Sequence, residues 1–266
     1  MTTATPPPAR FSLGRAFSAG LGLAGRHPVS LLFAAVVFGY APTLASEAVS
    51  RHFLVNQISP AIVGRGWGAY WRGFALSELV AICVAGVSFL LQAYVALLAA
   101  GDSESPRPEP AEILRRLIRV APALYVLGVV VSTAVTLGSL ALLIPGLLIQ
   151  LAWNVAAPVA ALERRGVVGS LRRSADLTRG HRWALFGLLL LLGLAAGVAA
   201  AGARLAGGGS LLGLSPSDPA ILAYGIAPAV SGLMATVTAV MLAAVYFELA
   251  AAKDGVASHQ LAAIFE

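Results

Sequence analysis

The side chains able to do chemistry are few and widely spaced. Histidine occurs singly, at His27, His52, His181 and His259. A serine hydrolase working inside a membrane needs a Ser and a His at one depth, within hydrogen-bond reach. All four histidines fall in loops or at the ends of apolar runs, which excludes it. A metal centre needs clustered His, Cys, Asp or Glu, and these singles form no cluster, so no metal and no cofactor is expected. No two carboxylates stand at helical spacing within an apolar run, so there is no acid–base pair for hydrolysis or transfer. The lone Cys83 lies in an apolar run and reads as a packing residue. Gly207-Gly208-Gly209 matches no phosphate-binding loop and reads as a flexible turn.

What remains is positive charge. The chain carries 18 Lys plus Arg against 12 Asp plus Glu, and every basic residue except Lys253 is arginine. Arg164, Arg165, Arg172, Arg173, Arg179 and Arg182 fall within nineteen residues, with His181 among them. Arginine presents a planar fork suited to phosphate, and a basic residue near an anionic lipid surface contributes about 1 kcal/mol. These seven residues are the candidate contacts for lipid headgroups. The plainer alternative is that they only set membrane topology. In so apolar a chain a basic excess marks cytoplasmic loops rather than nucleic-acid binding. Glu248 is expected to form a structural ion pair with Arg172 or Arg173, and Glu78 to pair with Arg72 or Arg51. Gln92, Gln150 and Asn154 are the amides deep in apolar runs, where hydrogen bonding between helices is their ordinary use.

The elements that must position these residues follow from composition. Of the 266 residues, 58% are hydrophobic and 11% charged, where a soluble domain carries about a quarter charged. Uncharged apolar runs of 18 or more residues read as membrane spans. Six apolar runs are expected as spans, at about 28–49, 74–100, 120–143, 147–162, 183–203 and 227–250; the first, second and sixth carry one Glu each near an end (Glu47, Glu78, Glu248), and the fourth is slightly short. They form one all-α membrane domain over 11–252. A Pro- and Thr-rich tail over 1–10 precedes it, with no cleaved signal peptide, and a tail over 253–266 follows. The polar segment Gly101 to Pro110 is too polar to span, and Ile144-Pro145-Gly146 reads as a tight turn between spans three and four. Fourteen basic residues fall on the side holding both termini and four on the other, which places both termini in the cytoplasm. Trp67, Tyr70 and Trp71 read as an aromatic anchor at the outer interface, Trp183 as one at the inner, and Trp153 as a packing residue.

Three basic amphipathic stretches each lead into an odd-numbered span: Phe11 to His27, Ala111 to Arg119 and Val167 to Arg182. In the third, Val167, Val168, Leu171 and Ala175 align opposite Arg172, Arg173, Asp176 and Arg179, the pattern of a helix lying in the membrane interface. The expected architecture is therefore three hairpins, each introduced by a short basic interfacial helix. Gly193 and Gly197 in span five, and Gly232, Ala235, Ala239 and Ala243 in span six, provide small-residue faces. Packing within the molecule is their expected use. Pro122, Pro158 and Pro228 are candidate helix breaks.

The stretch from Ile144 to Trp183 resembles the glycerophosphoryl diester phosphodiesterase membrane-domain family. The matching pieces are Pro145-Gly146, a span ending in Pro158 and Glu163, then Leu171-Arg172-Arg173-Ser174 and Leu177-Thr178-Arg179-Gly180-His181-Arg182-Trp183. Ser12-Leu13-Gly14-Arg15-Ala16-Phe17 and Val245-Tyr246-Phe247-Glu248-Leu249 are also similar. The resemblance implies a stand-alone membrane domain. The phosphodiesterase activity in the family's name belongs to a fused barrel of about 250 residues, for which this sequence leaves no room.

The sequence thus leads to a non-enzymatic multi-pass protein of the bacterial cytoplasmic membrane, with membrane lipids as its partners. A permease for a lipid-like or apolar substrate and an accessory or scaffold subunit of a membrane complex are the alternatives.

Overall fold

The computed structural model describes residues 11–50, 67–104, 106–206, 208 and 221–254. Among them the regular structure is helical throughout: α1 (Leu13–Arg26), α2 (Pro28–Ala34), α3 (Ala41–Ser50), α4 (Trp67–Gly101), α5 (Pro110–Ala141), α6 (Leu143–Trp153), α7 (Ala156–Glu163), α8 (Gly166–Thr178), α9 (Arg182–Ala206) and α10 (Ala227–Asp254). Two π-helical stretches, Ala35–Tyr40 and Leu222–Ile226, join α2 to α3 and lead into α10. Six helical segments are long and apolar enough to cross a membrane: Pro28–Val49, Ala75–Gly101, Pro110–Ala141, Leu143–Glu163, Arg182–Ala206 and Tyr224–Asp254. The protein is therefore read as a multi-pass membrane protein. The N-terminal tail over 1–10, the C-terminal tail from residue 255 on, His52, His259, Arg51 and Arg65 lie outside the described residues, as do the side chains of Trp67 and Tyr70.

Prolines shape the two outermost spans. A proline ring collides with the carbonyl four residues back and supplies no N–H to it. Pro42 and Pro228 each follow a π-helical stretch, where the wider turn relieves that collision. Four residues before Pro228 is Tyr224, whose carbonyl accepts a hydrogen bond from the Tyr40 hydroxyl at 2.9 Å. The two widened stretches thus compensate each other. Nearby, Gly39 and Gly232 meet backbone to backbone. A Cβ on Gly232 would lie 2.6 Å from the Tyr40 nitrogen and 2.9 Å from the Gly39 carbonyl carbon, so this crossing closes only with glycine.

Span four departs from expectation at its start and meets it further on. The chain turns at the extended Leu142, and Pro145-Gly146 lies inside the first turns of α6. Gly146 serves a close approach instead of a turn: a Cβ there would lie 2.7 Å from the Ser139 nitrogen. The span also breaks at Asn154 and Val155, between α6 and α7. Pro158 explains the break, since it denies the Asn154 carbonyl its helical donor. Pro122, by contrast, sits inside an uninterrupted α5.

The second basic stretch, Ala111 to Arg119, is not a separate helix. It forms the first turns of the 32-residue α5, because nothing between Arg119 and Val120 interrupts the helical pattern. Pro110 suits the first helical position and Glu112 the positive end of the helix dipole. The first and third stretches do form their own helices, α1 and α8.

The core has two parts. One gathers Leu91, Val95, Leu124, Leu127, Ala157 and Ala243, and the other Leu151, Val155, Val159, Leu177, Leu185 and Val245. Helix α10 contributes to both and is the central pillar.

Candidate functional site

One end of the bundle collects the charge. The C-terminal ends of α4, α7 and α10, the N-terminal end of α5, and α1 and α8 all meet there through ion pairs. Thirteen described basic residues stand at this end: Arg15, Arg26, Arg107, Arg115, Arg116, Arg119, Arg164, Arg165, Arg172, Arg173, Arg179, Arg182 and Lys253. Against them are eight carboxylates: Asp102, Glu104, Glu109, Glu112, Glu163, Asp176, Glu248 and Asp254.

Three sets of contacts hold the end together. In the first, Nε and Nη2 of Arg15 donate to the Glu248 carboxylate at 3.1 and 3.0 Å, a forked pair joining α1 to α10. The expected partner of Glu248 was Arg172 or Arg173; the structure corrects this. Helix α1 lies across the end of α10, Arg172 points outward, and Arg173 is committed elsewhere. The hydrogen bonds it donates to Glu248 hold the Arg15 guanidinium above its ordinary pKa, so it stays charged.

The second set centres on Glu163, the last residue of α7. It accepts from Arg165 Nε at 2.6 Å, Arg173 Nε at 3.2 Å and the Tyr246 hydroxyl at 3.1 Å. A carboxylate is unfavourable at the negative end of a helix dipole, and these three donors offset that. The turn that brings Arg165 back runs through left-handed Arg164 (φ 51°) and Gly166 (φ 69°). Arg173 also bonds Asp254. Burial pulls its pKa down, but hydrogen bonds with Asp254 and Glu163 raise it further, for a net upward shift. Lys253 reaches the Asp176 carbonyl.

The third set joins the start of α2 to the end of α4. His27 Nε2 lies 2.7 Å from Asp102 Oδ1, and Arg26 Nη1 lies 3.6 Å from Oδ2. The Asp102 side chain is almost fully enclosed. At the corner between α4 and α5, Arg116 Nη2 donates to Glu104 at 3.0 Å, and that bond lowers the Glu104 pKa.

Helix α8 is seated differently from the sequence pattern. Its buried residues are Ser170, Ser174, Leu177 and Thr178, while Val168 is 60% exposed. The hydroxyls explain the choice. Ser174 and Thr178 donate to the Ala152 carbonyl at 2.9 and 3.3 Å, and Ala152 lies beside the break between α6 and α7. A carbonyl at the end of α6 thus gains donors that water cannot supply inside a packed core. The spacing Ser170, Ser174, Thr178, one residue per turn, was the available signal for this face.

The seven candidate residues are therefore divided. Arg165 and Arg173 are held by Glu163. His181 packs on Phe11, ring centroids 4.7 Å apart. Arg182 is half-buried, and its Nε has no hydrogen-bond partner among the described residues. Arg164 and Arg172 are exposed. Arg179 meets only Asp176, at 3.9 Å with both side chains largely in the open. Arg172 lies on the face of α8 opposite its buried one, Arg179 directly follows the helix, and Trp183, 86% exposed, stands in the first turn of α9.

Among the described residues, no three His, Cys, Asp or Glu side chains are placed to hold a metal ion. No protein-family model, curated protein or solved structure matches this chain.

Proposed function

We propose that this chain is a non-enzymatic, six-span protein of the cytoplasmic membrane whose arginine-rich end engages anionic phospholipid headgroups. Both termini lie in the cytoplasm in this reading. The observation that supports it best is the set Arg164, Arg172 and Arg179. Arg172 projects from α8, Arg164 from the turn before it and Arg179 from the residue that follows it; among the described residues Arg164 and Arg172 meet no carboxylate and Arg179 meets only Asp176, at 3.9 Å, while Arg165 and Arg173 are locked in ion pairs. At about 1 kcal/mol per basic residue near an anionic surface, three exposed arginines give a substantial lipid preference. Exposed Phe17 and Leu21 on α1 suit a helix lying in the interface, and exposed Trp183 suits the headgroup layer. The three-hairpin architecture and the stand-alone membrane domain similar to the glycerophosphoryl diester phosphodiesterase membrane-domain family belong to this same reading.

Replacing Arg164, Arg172 and Arg179 together by Gln tests it, because none of the three holds the fold. The expected result is loss of co-purified phosphatidylglycerol and weaker binding to anionic nanodiscs, with melting temperature and topology unchanged. Equal lipid retention in the variant would reject headgroup recognition and leave those arginines as topology signals.

A second reading, an accessory subunit that docks on another membrane protein, is supported by α9. Its apolar stretch is only 6% buried, and Gly187, Gly193, Gly197 and Gly202 have no neighbour within reach of a Cβ. Cysteine cross-linking at positions 193 and 197 in native membranes would yield a defined heteromeric adduct in this reading, and none if lipid alone covers the helix.

A further inference from the structure

No charged residue and no histidine stands between Arg119 on α5 and Glu163 at the end of α7, although the chain reverses inside that stretch, at Leu142. In the sequence, the two other connections between spans at that end of the bundle each carry charge: Arg51, Arg65 and Arg72 in one, Arg204 and Asp218 in the other. Around the reversal, Leu137, Leu140, Leu142, Leu143 and Ile144 are each more than 60% exposed. A contiguous exposed apolar patch marks a surface that meets something apolar. The tip is nonetheless tightly built. Gly138 and Gly146 bring its two legs together, and a Cβ on Gly138 would lie 3.0 Å from the Gly146 nitrogen. Small residues fill the inside, which leaves the large ones to project outward.

Length places the tip. Arg119 is the last charge on α5, and Ala141 lies twenty-two residues further on, a rise of about 33 Å. The returning leg, Leu143–Glu163, has 21 residues and rises about 31 Å. The hydrocarbon layer is about 30 Å thick. Both legs therefore run out where the hydrocarbon does, and tilt, or the break at Asn154 and Val155, only lowers the tip. Helix α4 behaves differently. Its 35 residues rise about 52 Å, so it leaves the hydrocarbon and carries Arg72 out with it. Backbone chemistry narrows the depth further. The last carbonyls of α5 and the first N–H groups of α6 lack helical partners. Pro145 removes one such donor, and the Leu142 N–H returns to the Gly138 carbonyl at 3.1 Å. The groups that remain need the ester carbonyls and water of the interface, which excludes the bilayer centre.

We propose that this tip is a lipid-immersed wedge: it ends at the ester level of the leaflet opposite the arginine-rich end, with Leu140, Leu142, Leu143 and Ile144 among that leaflet's acyl chains, and forms no loop in water. The proposal rests on the membrane reading of the six spans and not on headgroup binding by the arginines at the other end. Lipid is the occupant that the lengths select. A soluble partner could cover these leucines only if the tip stood clear of the bilayer, and legs that match the hydrocarbon thickness leave no surplus for that.

Spin labelling of the full-length protein in lipid nanodiscs tests this. Relaxation by dissolved oxygen, which concentrates in hydrocarbon, is compared with relaxation by a nickel chelate, which stays in water. Nitroxides are placed singly at Leu140→Cys and Leu143→Cys in a Cys83→Ala background. Both side chains are exposed, so neither change removes packing, and an unchanged melting temperature confirms the fold. Arg72→Cys reports the water beyond that leaflet, and Leu194→Cys, exposed on α9, reports hydrocarbon. The expected result is that oxygen outweighs nickel at 140 and 143, as at 194, and that the order reverses at 72. Nickel outweighing oxygen at 140 and 143 would overturn the proposal by placing the tip in water. Weak relaxation by both agents would overturn it as well, because protein would then cover the tip. Nickel outweighing oxygen at 194 would sink the membrane reading, and the proposal with it. The Arg164, Arg172 and Arg179 triple variant keeps all four readings even if it loses lipid retention, so the two lipid claims fail separately.

Discussion

Helices α10 and α9 are of similar length, both apolar and both rich in Ala, yet the fold treats them oppositely. Fifteen residues of α10 are buried, against Leu185 alone in α9. Glycine shows the contrast most directly. Gly232 on α10 touches the backbone of Gly39 and Tyr40, while Gly193 and Gly197 on α9 touch nothing. The expected packing role of the small-residue faces therefore holds for Gly232 within this chain and not for Gly193 and Gly197. An apolar helix in a membrane has no need to bury itself, because lipid tails are as apolar as its neighbours. Close packing has to come from complementary shape, which α10 has and α9 lacks in this chain.

The comparison can be broken at several points. The largest effect is expected for Gly232→Leu, which drives a side chain into the Gly39–Tyr40 backbone and should cost more than about 3 kcal/mol. Thermal unfolding in detergent, followed by circular dichroism, would show it; a variant of unchanged stability would mean that the crossing is not closed in solution. Next is Arg15→Gln. Glu248 is nine-tenths enclosed, and losing its forked partner should cost about 1–2 kcal/mol, reduced from a fully buried pair because Arg15 is half exposed. Arg173→Gln measured alongside gives a reference for an interaction that does not anchor Glu248.

Smaller and opposite in sign is the double change Gly193→Ala with Gly197→Ala. With nothing near either position, the gain in helix propensity should stabilise by about 1 kcal/mol in all. A clear loss of stability there, or a loss dependent on protein concentration, would show that another helix normally covers α9. The smallest effect is expected at the exposed pair Glu104–Arg116, a counterpart to the enclosed Glu248. The lowered pKa of Glu104 means that its contribution is complete above the ordinary value of 4.5 and is lost as pH falls through the depressed one. Glu104→Gln should therefore cost less than about 0.5 kcal/mol at neutral pH, read as a small fall in melting temperature. The difference from the parent protein should disappear once the pH has fallen below that depressed value.

Much of the fold was legible in the residues. Six apolar runs correspond to six helical segments within a few residues at most ends, because length and hydropathy alone decide whether a segment is long and apolar enough to cross. Span three was the exception: its helix begins ten residues earlier than the apolar run, since Ala111 to Arg119 carries no breaker. The candidate site was legible as a basic cluster but not as a division of labour. Nothing in the spacing of Arg164, Arg165, Arg172 and Arg173 says that the second and fourth are held by Glu163 while the first and third are free. That depends on where α7 ends and how Arg164 turns.

By itself, then, the sequence determined an all-helical chain with six apolar helices and an arginine-rich end, through terms that each residue carries locally: hydropathy, charge and helix propensity. Only the tertiary structure decided which helix is the pillar and which is left outside, that Glu248 answers Arg15, that Ser174 and Thr178 cap the broken span, and that Gly146 packs where it was expected to turn. These outcomes depend on close approach between segments far apart in the chain. Shape and unsatisfied backbone groups govern such contacts, and neither is written in the apolar pattern of one segment.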